Sequence, residues 1–524
     1  MQITLKRQFL FFVLLATSFP SLAGDSLYVN TFNTFRLLKM VNGWLETGNM
    51  AGLVLNQQNK SWKIETGYDN SNGQFHLIRD GENVNDYSLS TESFQTLGKR
   101  IFLYGKFACH SLDETGGQWN GTYDPYNGNP YILSDSLSGT TYHKENYNLA
   151  GGIGFSLNDR ISLGAGLDYY IGVAAKQKDP RPKNIYIRFK VNPALIFTTS
   201  KYKLGIDIGY KIKIEEIDYN VLRSNFLPSY FAYKGLGFFD RIVDTRYYRF
   251  LTAHEFLGGV QFEKKRGNIP SLTELRFNYD VEGIEDGITE IRKKDGGEWR
   301  TYQVVLTEQV CIQNGLSHYR ITGGFTFFNG DGNEFLQNLV NSGQFNTPTY
   351  VTIGENLKFN RQTFRGQISC NYLKHKDQGR IDWDATVGVN YLNNREQYFY
   401  IPELFGAGYS NITGNLFIQK NLYFGKCHLA LSLNLGYTSD LSKDLQLSSL
   451  PEITKKQRQD VYLQEFDYYT SNVLKSGGEV KIGRKFMATH QPAQVYLSLC
   501  CDRLNQLNEG RSFNYFGAKI GMVF

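Results

Sequence analysis

The run CHSLDE at positions 109–114 comes closest in residue types to a hydrolytic site. His110 has the chemistry of a general base, Ser111 that of a nucleophile, and Asp113 or Glu114 that of an orienting carboxylate. None of the signatures H-E-x-x-H, G-x-S-x-G, C-x-x-C or a Walker loop occurs in the sequence. Polar residues at the start of a loop are usually solvated, so we predict that the protein is not an enzyme.

No motif in the sequence supports a metal site or a cofactor site. HKENY at 143–147 and KHKD at 374–377 combine His with carboxylates, but neither has the spacing of a metal-ligand set. The glycines of GAGLDYYIG at 164–172 are strand glycines and do not form a phosphate-binding loop. The sequence therefore predicts no metal and no cofactor.

Charged residues at alternate positions are a second source of binding chemistry. They are Arg188, Lys190, Lys211, Lys213, Asp382 and Asp384. If they line an aqueous lumen, the basic group favours anionic solutes and faces an acidic group. Alternatively, the charges pair between neighbouring strands and hold the wall together. The sequence leaves both interpretations open.

The segments that carry these charges have the pattern of long strands. KLGIDIGYKIKI at 203–214 alternates apolar with small or charged residues, and NLAGGIGFSL at 148–157 and RIDWDATVGVNYL at 380–392 repeat the pattern. These runs are about twice the ~5–6 residues of a sandwich strand. Strands that have one apolar, lipid-facing side and one polar side indicate a closed antiparallel transmembrane β-barrel.

The composition agrees with a barrel. Aromatic residues make up 15% of the chain, and several lie near the ends of the apolar parities, as in the aromatic girdles of membrane barrels. The mean hydropathy of −0.38 is too low for a bundle of membrane helices. The net charge of +6 is small for 524 residues and gives no indication of a nucleic-acid partner.

Connection lengths predict the strand number. From Arg100 to Phe524 we count 18 strands whose connections alternate between long and short, as outer loops and periplasmic turns do. The short connections include 358–360 and 392–395, whereas KHKDQG at 374–379 is brief where a long loop is expected. SWKIETGY and GQFHLIRD allow one more hairpin, so we predict an all-β barrel of 16–20 strands.

Two long connections, 215–245 and 438–473, are rich in aromatic residues. Exposed loops with that many rings either bind a partner or fold into the barrel mouth. We expect them to fold back and narrow the mouth.

The amino end predicts export. Residues 1–23 have a basic start, a short apolar stretch and the small-residue site SLAG, which together form the pattern of a cleaved signal peptide. In 24–60, apolar residues recur at helical spacing, which predicts a short helical segment that plugs the lumen or docks beneath the barrel. Residues 61–524 form the barrel.

The last strand, NYFGAKIGMVF, has an apolar parity down to its final residue. It resembles the terminal signature that insertion machinery reads in outer-membrane proteins, and it predicts that machinery and the outer-membrane bilayer as partners. The signature residues are Phe516, Ile520, Met522 and Phe524, with Met522 in place of a second aromatic residue.

The six Cys lie in or beside strand-like segments. A free Cys behaves as a small hydrophobic residue, and a disulfide framework would instead place Cys in the loops of a small domain. We expect free thiols, with a link between Cys311 and Cys500 as the open alternative.

Four blocks of sequence resemble an uncharacterised family of outer-membrane β-barrels from Bacteroidota-type bacteria. They are 90–107, 129–152, 178–184 and 233–238. The resemblance implies genes near energy-coupled outer-membrane receptors, and hence nutrient or iron-related uptake. GNMAGL at 48–53 is similar to the Asn-Pro-Ala segment in the hatch of fatty-acid-transport-type channels, with Met50 where that family has Pro.

These observations predict an outer-membrane channel or uptake component for a small solute, with a preference for anions. The segment 24–60 is too short for the plug domain of an energy-coupled receptor, so we do not expect active import by this chain alone. A non-conducting partner of an outer-membrane receptor or surface lipoprotein is the alternative. An enzyme at the barrel rim is the least favoured hypothesis.

Overall fold

The computed structural model of the chain describes residues 31–56, 60–136, 140–223, 225–266, 269–289, 292–342, 347–377, 380–400, 403–447, 461–488 and 491–524. The predicted signal peptide at 1–23 lies outside these residues. In the described part of the chain, no helix is long and apolar enough to cross a membrane.

Strands dominate the described structure. In chain order they are β1 (Ser61–Gly73), β2 (Asn83–Leu97), β3 (Ile101–Thr115), β4 (Leu133–Asp135), β5 (Thr141–Ser156), β6 (Ile161–Lys176), β7 (Arg181–Thr198), β8 (Tyr202–Asn220), β9 (Ser229–Gly235), β10 (Phe238–Val243), β11 (Arg246–Arg266), β12 (Ile269–Thr289), β13 (Arg292–Asn314), β14 (Ser317–Ser342), β15 (Thr347–Asp377), β16 (Arg380–Tyr400), β17 (Glu403–Phe424), β18 (Cys427–Gln446), β19 (Val473–Ala488), β20 (Gln491–Gln506) and β21 (Ser512–Val523). Strands β4, β9 and β10 form a small sheet, and the other 18 form one large sheet.

A few short helices accompany the sheets. Helix α1 (Thr34–Val41) and two 3₁₀ helices, Gly43–Glu46 and Met50–Leu55, precede β1, and helix α2 (Tyr462–Tyr469) lies between β18 and β19. The predicted helical segment before the barrel is therefore present, although it is split into three short pieces.

The large sheet is closed by its first and last strands. Strands β1 and β21 pair antiparallel, with Lys63 opposite Val523 and Gly73 opposite Phe513. Trp62 and Phe524 exchange two backbone hydrogen bonds of 2.7 and 3.0 Å. Closure pairs backbone groups that would otherwise face lipid unsatisfied. The predicted closed antiparallel barrel is confirmed, and its 18 strands lie within the predicted range.

The apolar positions of the alternating strands lie on the outer wall of the barrel. Ile206 and Ile208 are 46% and 62% exposed, and exposed apolar side chains recur at alternate positions on the other long strands. This is the band that meets hydrocarbon in a membrane barrel. Phe516 and Ile520 of the terminal strand belong to it. The role of the terminal signature in membrane insertion stays a prediction.

Two predicted turns are wrong. β15 extends over 31 residues and β16 over 21, so 358–360 and 392–395 lie inside strands. About 9–11 residues are enough to cross the bilayer, so these strands continue beyond it. At 358–360 and 392–395 the outward-facing positions are polar, so the apolar alternation is interrupted while the backbone ladder continues. The sequence pattern marked the end of the lipid band and not the end of the strand.

The segment 374–379 was predicted to interrupt the alternation of loop lengths, and this is also wrong. It contains the connection between β15 and β16, which lies at the same barrel end as the brief connections after β2, β5 and β7. The long connections, which contain β4, β9, β10 and α2, lie at the opposite end. Short turns mark the periplasmic end of a bacterial outer-membrane barrel.

All six Cys are free thiols. The expectation of unpaired Cys is confirmed, and the alternative link between Cys311 and Cys500 is not formed.

Candidate functional site

The periplasmic end of the lumen is filled by residues 31–56, here called the plug segment. The Arg36 guanidinium pairs with Asp384 of β16 at 2.5 Å, and the Lys39 ammonium lies 3.2 Å from Glu92 of β2. These two strands belong to different parts of the barrel wall, so the plug segment spans the lumen. The prediction of an N-terminal plug is thereby supported by specific contacts.

The 3₁₀ helix Met50–Leu55 rests on glycines of β5 and β6. A Cβ atom added to Gly164 would lie 2.1 Å from the Ala51 nitrogen, and one added to Gly152 would lie 2.7 Å from the Met50 sulfur. Only glycine leaves room for this close approach of the plug backbone. The glycines form the seat of the plug segment.

A polar network on the neighbouring strands β8, β11 and β12 also fixes the plug segment. The Asn49 amide donates to the Gln261 side-chain oxygen at 2.9 Å, and the Gln261 amide donates to Asp207 at 2.5 Å. The Arg276 guanidinium pairs with Asp207 at 3.2 Å and with Glu274 at 2.7 Å. Because each buried polar group has a partner, the network holds the segment in one position.

The outer end of the lumen is closed by the outer cap, which consists of β4, β9, β10 and α2. Tyr230 and Leu133 of the small sheet are fully buried against residues of the inner wall such as Phe359 and Phe405. Phe466 of α2 packs against the same cluster. The expectation that the aromatic loops fold into the barrel mouth is confirmed.

The turn between β9 and β10 approaches the barrel wall closely. Gly235 has a φ of +105°, and a Cβ there would lie 2.5 Å from the ring of Phe359. The Phe238 ring stacks on Tyr398 with centroids 4.0 Å apart. Since a side chain at Gly235 is excluded by both backbone conformation and space, this turn requires glycine.

Arg79, between β1 and β2, contacts three other parts of the chain at the outer end of the barrel. Its side chain is buried, pairs with Glu465 of α2 at 2.8 Å, donates to the Trp119 carbonyl at 3.0 Å and lies over the Tyr233 ring. Burial alone would lower the pKa of the Arg79 guanidinium, but the Glu465 carboxylate and the Tyr233 and Tyr126 hydroxyls together raise it. Arg79 is therefore a permanent cation that holds the cap loops together.

Between the plug segment and the wall lies a chamber of about 320 Å³. We call it the cationic chamber, because three of its lining residues are basic and one is acidic. Its lining includes Gly48, Met50, Tyr104, Asp168, Arg188, Lys190 and Lys211. Three of the residues singled out in the sequence therefore meet at one site.

The strand register opposes like charges in this wall. Arg188 of β7 lies opposite Lys213 of β8, and Lys190 lies opposite Lys211. Like charges directly opposite each other destabilise a sheet unless other groups compensate them. This arrangement raises the positive potential on the lumen side of β7 and β8.

Three of the four cations have a carboxylate partner. Arg188 pairs with Asp168 at 3.0 Å, Lys213 pairs with Asp280 at 2.7 Å, and Lys211 pairs with Glu255. Cross-strand pairing therefore occurs in this part of the wall, as the second interpretation of the sequence expected.

Lys190 differs from the other three cations. It forms no ion pair with any residue in the described ranges, and the charges that act on it from farther away are Arg276, Lys211, Asp207 and Glu255. Its ammonium faces the chamber.

The predicted acidic wall is not exposed to the lumen. Asp384 is covered by Arg36 of the plug segment, and Asp382 pairs with Lys420 near the periplasmic rim at 2.6 Å. Both carboxylates are therefore neutralised by a cation, and neither lines the cationic chamber. Selection of solutes by these residues remains a prediction.

The hydrolase-like group at 109–114 is not assembled. His110 accepts or donates a hydrogen bond at 2.9 Å with Asp86, whereas Ser111, the next residue of β3, points to the other strand face. Asp113 pairs with His143 at 2.5 Å on the exposed rim. Among the residues that the structure describes, no three His, Cys, Asp or Glu are grouped to hold a metal ion.

Two features of the site were missed in the sequence. The glycines of β5 and β6 were assigned to strands without a reason for their size, and the ion pairs of the plug segment with β2 and β16 were not anticipated. Glycines on one parity of two adjacent strands are a signal of close approach by another backbone. That signal was present in Gly152, Gly154, Gly164 and Gly166.

A closed 18-stranded barrel with an apolar outer band, short turns at one end and a filled lumen is a plugged integral protein of the outer membrane. The chain belongs to a family of unknown function (DUF6850), whose model matches residues 50–524. The predicted membership of an uncharacterised family is confirmed. The likeness of GNMAGL to the hatch of fatty-acid-transport-type channels is not tested by these comparisons.

Several solved structures resemble the chain. The ferric preacinetobactin receptor BauA of Acinetobacter baumannii shares 8% identity over 89% of this chain and 80% of that chain, with a TM-score of 0.39. The outer membrane transporter YddB of Escherichia coli shares 7% identity over 88% and 81%, with a TM-score of 0.38. Such values carry no information about what this chain binds. No curated protein matches it.

Proposed function

We propose that the barrel is a gated uptake component of the outer membrane that binds a small anionic solute in the cationic chamber. The single observation that carries this proposal is Lys190, a lumen-facing cation without an ion-pair partner in the described structure. The chamber volume of about 320 Å³ lies within the range of small-molecule sites, roughly 300–1,000 Å³.

The chamber favours an anion for an electrostatic reason. Its lining has three basic groups and one carboxylate, and Lys190 is the basic group without an ion-pair partner in the described structure. An anion bound beside Lys190 would relieve the repulsion between Lys190 and Lys211, which face each other across the β7–β8 ladder. Anion binding should therefore also stabilise the barrel wall.

Gating follows from the closure of both ends. The plug segment fills the periplasmic end, and the outer cap fills the opposite end. Neither is part of the hydrogen-bonded wall, so each can move without breaking the barrel. A solute that enters the chamber passes only when these two closures open.

Binding of inorganic phosphate tests the proposal. We expect the detergent-solubilised protein to bind phosphate at low salt and Lys190→Met to bind it at least ~10-fold more weakly, because a hydrogen bond to a charged group contributes ~1.5–3 kcal/mol. Isothermal titration calorimetry measures the affinity, and raising the ionic strength should weaken it through screening.

Lys420→Met is the matched control. Lys420 is already neutralised by Asp382 and lies outside the chamber, so this variant should bind phosphate like the parent protein. Equal affinity in Lys190→Met and the parent, or no phosphate binding at low salt, would contradict the proposal.

A second candidate is a non-conducting interaction partner of another surface protein. Beyond Asn333 of β14 and Phe359 of β15, these two strands leave the barrel wall and pair only with each other in the described structure. This extension exposes Leu336, Leu339 and Ile353 outside the lipid band. Planar-bilayer recordings separate the two functions, since a barrel that stays silent even when the plug is unseated favours this candidate.

A further inference from the structure

We propose that the solute is an amphipathic anion, with a carboxylate in the cationic chamber and a small apolar part in a second chamber beside it. This inference rests on the proposed function, because it assumes that the cationic chamber binds anions. It adds the chemical class of the solute, which the positive charge by itself does not define.

The second chamber has a volume of about 170 Å³ and lies against the plug segment. We call it the apolar chamber, because most of its lining is aromatic or aliphatic. The lining residues are Lys39, Trp44, Leu45, Thr47, Asn49, Met50, Leu53, Phe94 and Tyr104. Trp44 and Phe94 are almost fully buried, so the walls of this chamber are rigid aromatic surfaces.

The two chambers share a wall. Met50 and Tyr104 line both of them. The Tyr104 hydroxyl donates a hydrogen bond to Glu92 at 3.1 Å, which fixes the ring. The Met50 side chain packs on Gly152 and Gly166 and is held by packing alone, and its unbranched thioether can adopt another rotamer beside a ligand. A ligand can therefore extend from one chamber into the other by displacing the Met50 side chain.

The charge distribution defines which end of the ligand enters which chamber. Lys39, the basic residue of the apolar chamber, is paired with Glu92 at 3.2 Å, so it offers no surplus charge. Lys190 in the cationic chamber has no such partner in the described structure. A carboxylate is attracted toward Lys190, and an apolar group is left to pack between Trp44 and Phe94.

Neither chamber alone accounts for this arrangement. A simple inorganic anion would leave the apolar chamber unfilled, and a neutral apolar molecule would leave Lys190 uncompensated. A molecule with both parts gains from desolvation of the apolar surface and from the charge contact at once. A short-chain aryl carboxylate has these two parts in the required order.

Three probes of graded chemistry test the inference. They are 3-phenylpropionate, which has both parts, acetate, which has only the anion, and 3-phenylpropan-1-ol, which has only the apolar part. Isothermal titration calorimetry on the detergent-solubilised full chain measures each affinity. We expect 3-phenylpropionate to bind at least ~10-fold more tightly than either of the other probes.

Two variants locate the apolar part. Leu45→Phe places a larger side chain at the rim of the apolar chamber and should remove the advantage of 3-phenylpropionate over acetate while acetate affinity stays unchanged. Trp44→Phe should abolish any change in tryptophan fluorescence that 3-phenylpropionate causes, because Trp44 is the tryptophan that lines this chamber. The probe series on the parent protein stands independently of how well the variants fold.

The outcomes separate this inference from the proposed function. If acetate and 3-phenylpropionate bind equally well, the apolar chamber takes no part and the inference fails, while the anion site stands. If 3-phenylpropan-1-ol binds as tightly as 3-phenylpropionate, or if neither carboxylate binds, the inference fails. The anion site fails as well only if the parent protein also does not bind phosphate at low salt.

Discussion

The Gly164→Ala variant should conduct ions far more often than the parent protein in planar bilayers. The added Cβ would lie 2.1 Å from the Ala51 nitrogen and 2.5 Å from the Met50 carbonyl carbon, which are backbone atoms and cannot rotate away. Overpacking of this kind costs ~1–3 kcal/mol, so the unseated plug segment should become roughly 5–100-fold more populated. Single-channel recording measures the change as opening frequency.

Gly388→Ala is the matched control for this experiment. Gly388 lies on β16 and faces the lumen, but a Cβ there would have its nearest neighbours at 3.5 Å, an ordinary contact. This variant should conduct as rarely as the parent. Similar opening frequencies in the two variants would show that the glycine seat does not hold the plug segment closed.

Arg79→Met should release the outer cap. Arg79 and Glu465 are both largely buried, and removing the cation leaves the Glu465 carboxylate buried without its partner. Breaking a buried ion pair in this way costs ~3–5 kcal/mol, so local opening of α2 should become about 150- to 5,000-fold more frequent. Hydrogen exchange of residues 461–472 measures this opening in the intact barrel.

Arg246→Met provides the comparison. Arg246 pairs with Asp218 at 3.4 Å on the exposed rim, and such surface pairs contribute ~0–1 kcal/mol. Exchange in α2 should then stay close to that of the parent protein. If Arg79→Met leaves exchange in α2 unchanged, the cap is held by its apolar contacts and not by the Arg79 network.

Each closure is held by its own set of contacts, and this has a functional consequence. The plug segment combines buried apolar clusters with glycine packing and a polar network, and the outer cap combines a buried aromatic cluster with ion pairs such as Arg79–Glu465. Since the closures share no contacts among the residues named above, each can open while the other remains shut. Alternate opening would move a solute through the barrel without forming a continuous pore.

The alternating strand pattern predicted the barrel, because contact with lipid requires an apolar side chain at each outward-facing position. Every second side chain of a spanning strand must be apolar, and Ile206 and Ile208 show the result on the outer wall. The same reasoning failed at 358–360 and 392–395, because outside the bilayer neither strand face has to be apolar. The alternation therefore indicates whether lipid or water surrounds a strand segment, and it does not indicate where the strand ends.

The charged residues also separate what the sequence pattern predicts from what only the folded barrel decides. Alternation alone placed Arg188, Lys190 and Lys211 on the lumen side. Which of them carries surplus charge depends on register and on the neighbouring strands, and only the folded barrel brings Glu255 to Lys211 while leaving Lys190 without a described partner. The contact of Asp384 with Arg36 of the plug segment was likewise not visible in the alternation.

The sequence by itself determined the closed barrel, its lipid-facing surface and the presence of a segment before the first strand, because these follow from local solvent and spacing. The tertiary structure alone decided that this segment rests on Gly164, that the cap closes over Arg79 and that two chambers adjoin at Met50. Contacts between residues hundreds of positions apart, such as Arg36 with Asp384, depend on how the sheet closes, and no local pattern encodes that closure.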